Sequence, residues 1–352
     1  MKLASLNNGT RDGALCVVSR DLKIATVAYD VAPSLQAALD DWDYTAPLLG
    51  ALYEEANRHP EGSRWFELDP AQLAAPLPRL YSWVSAAAYL PYLERMRAAL
   101  GLAMPEDSRK EPWLTQGRAD AVLGPRDDLF IENDDIGLDL AASIAVITGD
   151  VPHGVKRERA GEYIQLFLLA NEFIAWPQLS RELTKGSGPF HSRIALSLSP
   201  VAVTPDELGA AWDGRRVHLP LQTEVNGERL GAPHAGTDMQ FDFPALIAAA
   251  ARTRPLGAGT LLTSGTVANR DSSIGVCSLR EKQALQGDGA DSAEAALRGG
   301  DRVRIDMHDT TQSVFGAIEQ TIVTPAQQQA AAAETEAAET AATEEADTTP
   351  TE

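Results

Sequence analysis

The chain has 352 residues, 44% of them hydrophobic and 23% charged, and a formal net charge of −20. That length can bury a large core in one to three domains, and the composition is that of a globular protein. Seven carboxylates and no base fall in the last 29 residues, yet the remainder still carries −13, which argues against nucleic acid or an anionic membrane as partner.

The two cysteines, Cys16 and Cys277, lie far apart and read as reduced and structural. The start, Met1-Lys-Leu-Ala-Ser, lacks the apolar stretch of a signal peptide. No run approaches the ~18 apolar residues of a membrane span, so the expected location is the cytoplasm.

In chain order, Leu15–Ser19 and Ile24–Ala28 read as short β-strands between turns at Asn7-Asn-Gly-Thr and Arg11-Asp-Gly. Pro33-Ser34 opens a helical stretch to about His59. In it Leu35, Leu39, Trp42, Leu48, Leu49, Leu52 and Tyr53 recur at three- and four-residue intervals, and Pro47 is expected to break it. This makes a small N-terminal domain, residues 1–73. The Pro-rich connector Ala74–Arg79 leads into a larger domain, 74–323, built mainly of strands.

Within that domain Gly137–Asp150 alternates like a strand, with Asp139, Ala141, Ser143 and Ala145 on one face. Val217–Val225 alternates as well. Asn226-Gly227 supplies a hairpin turn, and Pro220 suggests an edge strand. Pro244–Arg252 reads as a short apolar helix, and Arg302–Met307 with Ser313–Val323 as a closing hairpin. From Thr324 the composition turns to Ala, Glu, Thr and Gln. Residues 324–352 are therefore expected to form a disordered acidic tail, with transient helix from Gln327 to Ala342. The class is α+β and β-rich.

No Gly-x-Ser-x-Gly elbow, phosphate-binding loop or His-Glu-x-x-His signature occurs. His153, His191, His218, His234 and His308 are scattered and read as packed or surface residues.

Several markers do stand out: Gly149-Asp-Val-Pro-His-Gly154, Ser199–Leu208, Ser264-Gly-Thr-Val-Ala-Asn269 and Phe315–Ile322. In order and spacing they resemble the fumarylacetoacetate hydrolase family over roughly residues 1 to 323. The resemblance implies a mixed β-roll or sandwich C-terminal domain, a small N-terminal domain and a homodimer. It also implies Mg²⁺ or Ca²⁺ held by carboxylates, with a histidine base that activates water for carbon–carbon cleavage beside a carbonyl.

Mapped onto the family pattern, the chemistry departs. Ser85 stands where the family has an acid and Tyr92 where it has the histidine. The Glu-x-Glu metal pair corresponds to Ala141 and Ser143, the third acid to Glu172, and a carboxylate-binding arginine to Trp176. Asp139, on the face of Ser143, is the one nearby substitute ligand, and reads as structural. Lys185, Arg193, Thr266 and Glu281 match substrate-side positions and remain binding candidates. No metal cofactor is expected. The leading expectation is a non-catalytic binding or partner subunit, beside an active paralogue or with a small oxo-acid ligand. The alternatives are a metal-independent isomerase, decarboxylase or cyclase using Tyr92, Arg193 and Glu281, and a residual hydrolase with a metal site rebuilt on Glu172 and Asp139.

Overall fold

The structure is a computed structural model that describes residues 1–186, 188–287 and 296–330. The chain begins with β1 (Lys2–Leu6), β2 (Ala14–Val18), β3 (Ile24–Val27), α1 (Leu35–Asp40), α2 (Trp42–Arg58), β4 (Phe66–Glu67) and β5 (Leu73–Ala74). Next come β6 (Ser82–Ala86), α3 (Leu90–Ala99), β7 (Leu114–Gln116), β8 (Leu129–Phe130), β9 (Leu138–Thr148), α4 (Arg157–Ala160), β10 (Ile164–Ala175) and α5 (Trp176–Thr184). The last section holds β11 (Arg193–Leu198), β12 (Ala202–Val203), β13 (Leu221–Val225), β14 (Glu228–Gly231), α6 (Phe243–Ala250), β15 (Thr260–Thr263), α7 (Leu279–Gln286), β16 (Arg302–Met307) and β17 (Ile318–Val323).

Among the described residues the strands form a twelve-stranded sheet, ordered β4-β3-β2-β1-β12-β10-β9-β15-β6-β7 with β11 and β5 attached, and a five-stranded sheet, β14-β13-β16-β17-β8. The N-terminal strands join the large sheet directly, through Lys2 and Leu3 of β1 on Val203 and Ala202. Strand β9 lies at the centre and is buried along its whole length, as its unbroken run of small and branched apolar residues dictates. Its even-numbered residues, from Leu138 to Val146, face a core shared with Val303, Ile305 and Met307 of the second sheet. On the other face, Ala145 and Ile147 join Leu35, Leu39 and Leu49 of α1 and α2 in a second core. The alternation read for Asp139 to Ala145 therefore holds, and it separates the two cores.

Three local readings change. Pro47 lies inside α2, and the helical stretch breaks instead at Asp41, whose backbone leaves helical geometry. The Thr45 hydroxyl there donates to the carbonyls of Ala38 (2.7 Å) and Asp41 (3.0 Å), answering groups that a helix break would strand. Pro220 precedes β13 rather than interrupting it, so the ladder loses no donor and β13 sits between β14 and β16, away from an edge. Residues 325–330 at the start of the tail are helical, two residues ahead of the expected helix. The rest of the tail lies outside the described residues.

The hairpin turn at Asn226-Gly227 has both residues at positive φ, +54° and +78°, the geometry that favours this pair. The helix opened by Pro244 is α6, with Asp242 accepting from the Ala245 amide at its N-terminus. Cys16 and Cys277 are free, buried thiols, and burial pushes Cys16 up to about 12. No helix among the described residues is long and apolar enough to cross a membrane.

Candidate functional site

The register of four strands assembles the first half of the site. Glu172 on β10 lies opposite Ala141 on β9, Ala145 lies opposite Thr263 on β15, and Thr263 pairs with Ser85 on β6. Directly opposed residues point to the same side of a sheet, so all of these share one face. There the Ser85 hydroxyl (2.7 Å) and the Thr263 hydroxyl (2.9 Å) both donate to Glu172 Oε1. Arg193 of β11 sets its Nε 3.6 Å from Glu172 Oε2, donates through Nη2 to Thr115 Oγ1 (2.6 Å) and lies 5.1 Å over the Trp83 ring. The Glu172 and Arg193 side chains are only 5% and 11% exposed, so their charges meet in a medium that screens little.

The second half is built where the N-terminal start of β9 meets α3, α5 and α7. Asp139, buried, accepts from Ser278 Oγ (2.6 Å), the Leu279 amide (2.8 Å), the Arg280 amide (3.3 Å) and Trp176 Nε1 (3.1 Å). It thus anchors the first turn of α7 and holds the indole in place. Burial raises the pKa of Asp139 despite these four donors. Tyr92, half-buried on α3, places its hydroxyl with those of Thr266 and Ser278. Burial, with Asp139 and Glu281 close by, pushes it well above the usual tyrosine range.

Three residues along α3 from Tyr92, Arg95 donates to Glu281 Oε1 at 2.5 Å and to the Asn269 carbonyl at 2.7 Å. Glu281 is fully buried. Burial raises it to about 7, with Asp139 adding to the rise and Arg95 opposing it. Below pH 4.5 the folded and unfolded states both hold this proton, and between 4.5 and about 7 only the folded state does. Stability from this group is therefore fully present below pH 4.5 and is lost as pH rises through 7. Glu281→Gln, uncharged throughout, should flatten the fall of stability with pH between roughly pH 5 and 8. Urea unfolding of both proteins across that range reads the two slopes, and equal slopes would refute the assignment.

The structure thus separates the sequence candidates into two buried groups. Ser85, Glu172 and Arg193 form one, and Tyr92, Thr266 and Glu281 the other. Ala141 lies opposite Glu172, and the Ser143 hydroxyl is spent on the Ala170 carbonyl (3.4 Å). Lys185 is exposed at the C-terminal end of α5. Sequence reasoning missed Thr263, Thr115, Trp83 and Arg95. Only Arg95 left a signal, because its spacing from Tyr92 puts both on one helix face.

These residues do not fit a divalent metal. Among the described residues no group of three or more His, Cys, Asp or Glu is placed to hold one. Mg²⁺ and Ca²⁺ take six or more oxygen ligands, anchored by carboxylates. The carboxylates on the strand face around Ala141 and Ser143 are Glu172 and Asp139, and the oxygens of Glu172 already face two hydroxyl donors and a guanidinium. The fixed positive charge of Arg193 also repels a second cation there. Asp139 is fully engaged at α7 and offers no replacement ligand.

Comparisons place the chain among known proteins. Residues 1–79 match the family described as fumarylacetoacetase N-terminal domain 2, and residues 83–323 match fumarylacetoacetate (FAA) hydrolase C-terminal. Among curated proteins none matches significantly. Similar solved structures include a putative HpcE protein from Mycobacterium smegmatis, at TM-score 0.62 and 18% identity over 92% of this chain and 100% of that one. Maleylpyruvate hydrolase from Sphingobium sp. SYK-6, solved in complex with manganese(II) ion and pyruvate, aligns at TM-score 0.60 and 17% identity over 92% and 99%. Fumarylacetoacetate hydrolase from Exiguobacterium antarcticum aligns at TM-score 0.60 and 16% identity over the same shares. At these identities the likeness establishes the fold.

Proposed function

The chain belongs to the fumarylacetoacetate hydrolase family, and from that premise we propose that it has left the family's metal-dependent carbon–carbon cleavage and serves as a non-catalytic binding or partner subunit. The observation that carries this reading is the state of Glu172. Both of its oxygens face protein donors, and the nearest charge is a guanidinium. A chain working as the Sphingobium maleylpyruvate hydrolase does, with manganese and pyruvate bound, would need open carboxylates at this point. Ala141 and Ser143 supply none.

The competing reading is a metal-independent enzyme acting on an oxo-acid through Tyr92, Arg193 and Glu281. Glu281, poised near neutral pH beside Tyr92, favours it. Against it, burial makes the Tyr92 hydroxyl a poor acid, and Arg193 belongs to the other group, committed to Glu172 and Thr115. The homodimer and the active paralogue remain part of the same proposal, and light scattering of the purified chain with and without such a paralogue tests them.

The decisive test is calorimetric titration with Mg²⁺ and Mn²⁺, alongside an acylpyruvate turnover assay. The native protein is expected to show no saturable metal binding at millimolar concentration and no turnover. A rebuilt variant, Ser85→Asp/Ala141→Glu/Ser143→Glu/Glu172→Asp/Arg193→Lys, is expected to gain metal binding and, with it, stability that rises with the logarithm of metal concentration. If the variant fails to fold, the native arm still decides. Tight binding or turnover by the native protein overturns the proposal.

A further inference from the structure

The outer face of the five-stranded sheet gathers cations in a chain that is otherwise acidic. The register sets Arg229 of β14 opposite Glu224 of β13, Glu224 opposite Arg304 of β16, and Arg304 opposite Glu319 of β17, so these four share one face. Arg302 lies two residues before Arg304 on the same face, and Arg126 pairs with Glu319 from the loop before β8. Arg304 also donates to Glu319 (2.8 Å) and to the buried Asp306 (2.7 Å). Four arginines thus meet three acids, whereas the chain without its last 29 residues carries −13. Arg229 and Arg302, both exposed, have no side-chain partner among the described residues. Burial and the Arg304 charge beside it hold Arg126 below its usual value, so Glu319 does not fully offset the two guanidiniums it shares. Arg126, Arg302 and Arg304 line a groove of about 640 Å³.

The C-terminal tail leaves the fold beside this groove. Thr321 of β17 pairs with Arg302, and the helical residues 325–330 follow directly after the strand. Gln327 lies so close to Gly299, three residues before Arg302, that a Cβ there would sit 2.5 Å from its Oε1. Residues 331–352 lie outside the described residues, and their sequence holds seven carboxylates and no Lys, Arg or His. A coil of that length spans on the order of 25 Å, against strands about 4.8 Å apart, so reach sets no limit.

We propose that this groove is the docking surface for the chain's own acidic tail, whose carboxylates accept from Arg302, Arg229 and the Arg126–Arg304 pair. Tethering presents the tail at an effective concentration of about millimolar, so individually weak ion pairs suffice to hold it and to keep competing anions off the sheet. The inference is independent of the state of Glu172.

A spin label on the full chain tests it. Ala341→Cys takes the label selectively, because Cys16 and Cys277 are buried. At about 20 mM salt the amide signals of Arg302, Arg304 and Thr321 are expected to lose at least about half their intensity relative to the reduced label. The loss should shrink at least about threefold at about 500 mM salt, where screening leaves charges a reach of only a few ångströms. It should shrink as much in Arg229→Gln/Arg302→Gln and in Glu339→Gln/Glu344→Gln/Glu345→Gln, while amides of α2, in the other core, stay unaffected throughout. No loss on the sheet, an equal loss on α2, or a loss indifferent to salt and to the arginine substitutions overturns the proposal. Mixing isotope-labelled chain with separately spin-labelled chain tests for a second copy. An undiminished loss in that mixture gives the groove to another chain's tail and overturns docking within one chain, and its disappearance supports the proposal.

Discussion

Replacing Arg193 by methionine is expected to destabilise the protein by about 3–5 kcal/mol, the range for removing one partner of a buried ion pair. The side chain of Glu172 is 5% exposed, so without the guanidinium its charge stays buried, answered only by the Ser85 and Thr263 hydroxyls. The stacked contact on Trp83 and the bond to Thr115 go with it. Glu172→Gln should cost less, since an amide still accepts from Ser85 and Thr263, although it leaves Arg193 less well balanced. The double variant Glu172→Gln/Arg193→Met should recover part of the loss, with a coupling energy of about 1–3 kcal/mol in a double-mutant cycle. Urea unfolding of the four proteins supplies the numbers. Additive losses would mean that the two charges do not see each other and that Arg193 matters only for packing.

The same pair shows where sequence reading stops. Strand β9, the hairpin at Asn226-Gly227, the helix opened by Pro244 and the closing pair of β16 and β17 were all legible, because each is written in local periodicity or turn chemistry. The resemblance to the family also made Ser85, Tyr92, Ala141, Ser143 and Glu172 stand out as departures. The compensation for those departures was not legible. Ser85 reaches Glu172 across 87 positions and Thr263 across 91, and only the register of the sheet brings them together. Thr263 sits one residue before the Ser264–Asn269 marker, where strand alternation assigned it no special role. Pro47 and Pro220 were misjudged for a related reason. The local rule for proline was sound, but a threonine hydroxyl two residues from the first answers the carbonyls freed at the Asp41 break while Pro47 stays within α2, and the ladder simply began after the second.

Asp139 illustrates how an acid on the right strand face can belong to the scaffold. Asp139→Ala is expected to cost about 3–4 kcal/mol, because three donors on α7 and the Trp176 indole lose a charged acceptor, each such bond being worth about 1.5–3 kcal/mol. The sum is well below four full bonds because the buried carboxylate itself carries a desolvation penalty, visible in its raised pKa. Asp139→Asn should cost roughly half as much. It keeps one carbonyl acceptor and removes the charge, but turns an amide N–H₂ toward groups that are themselves donors. The loss should be local as well as global. Amide exchange at Leu279, Arg280 and Glu281 should accelerate in both variants, since Asp139 holds the opening turn of α7, while exchange in α2, which packs in the other core, should follow only the global change. If Asp139→Ala keeps native stability and native exchange in α7, the carboxylate is not the anchor. If it also abolishes a Mg²⁺-dependent stabilisation of the native protein, Asp139 is a metal ligand after all.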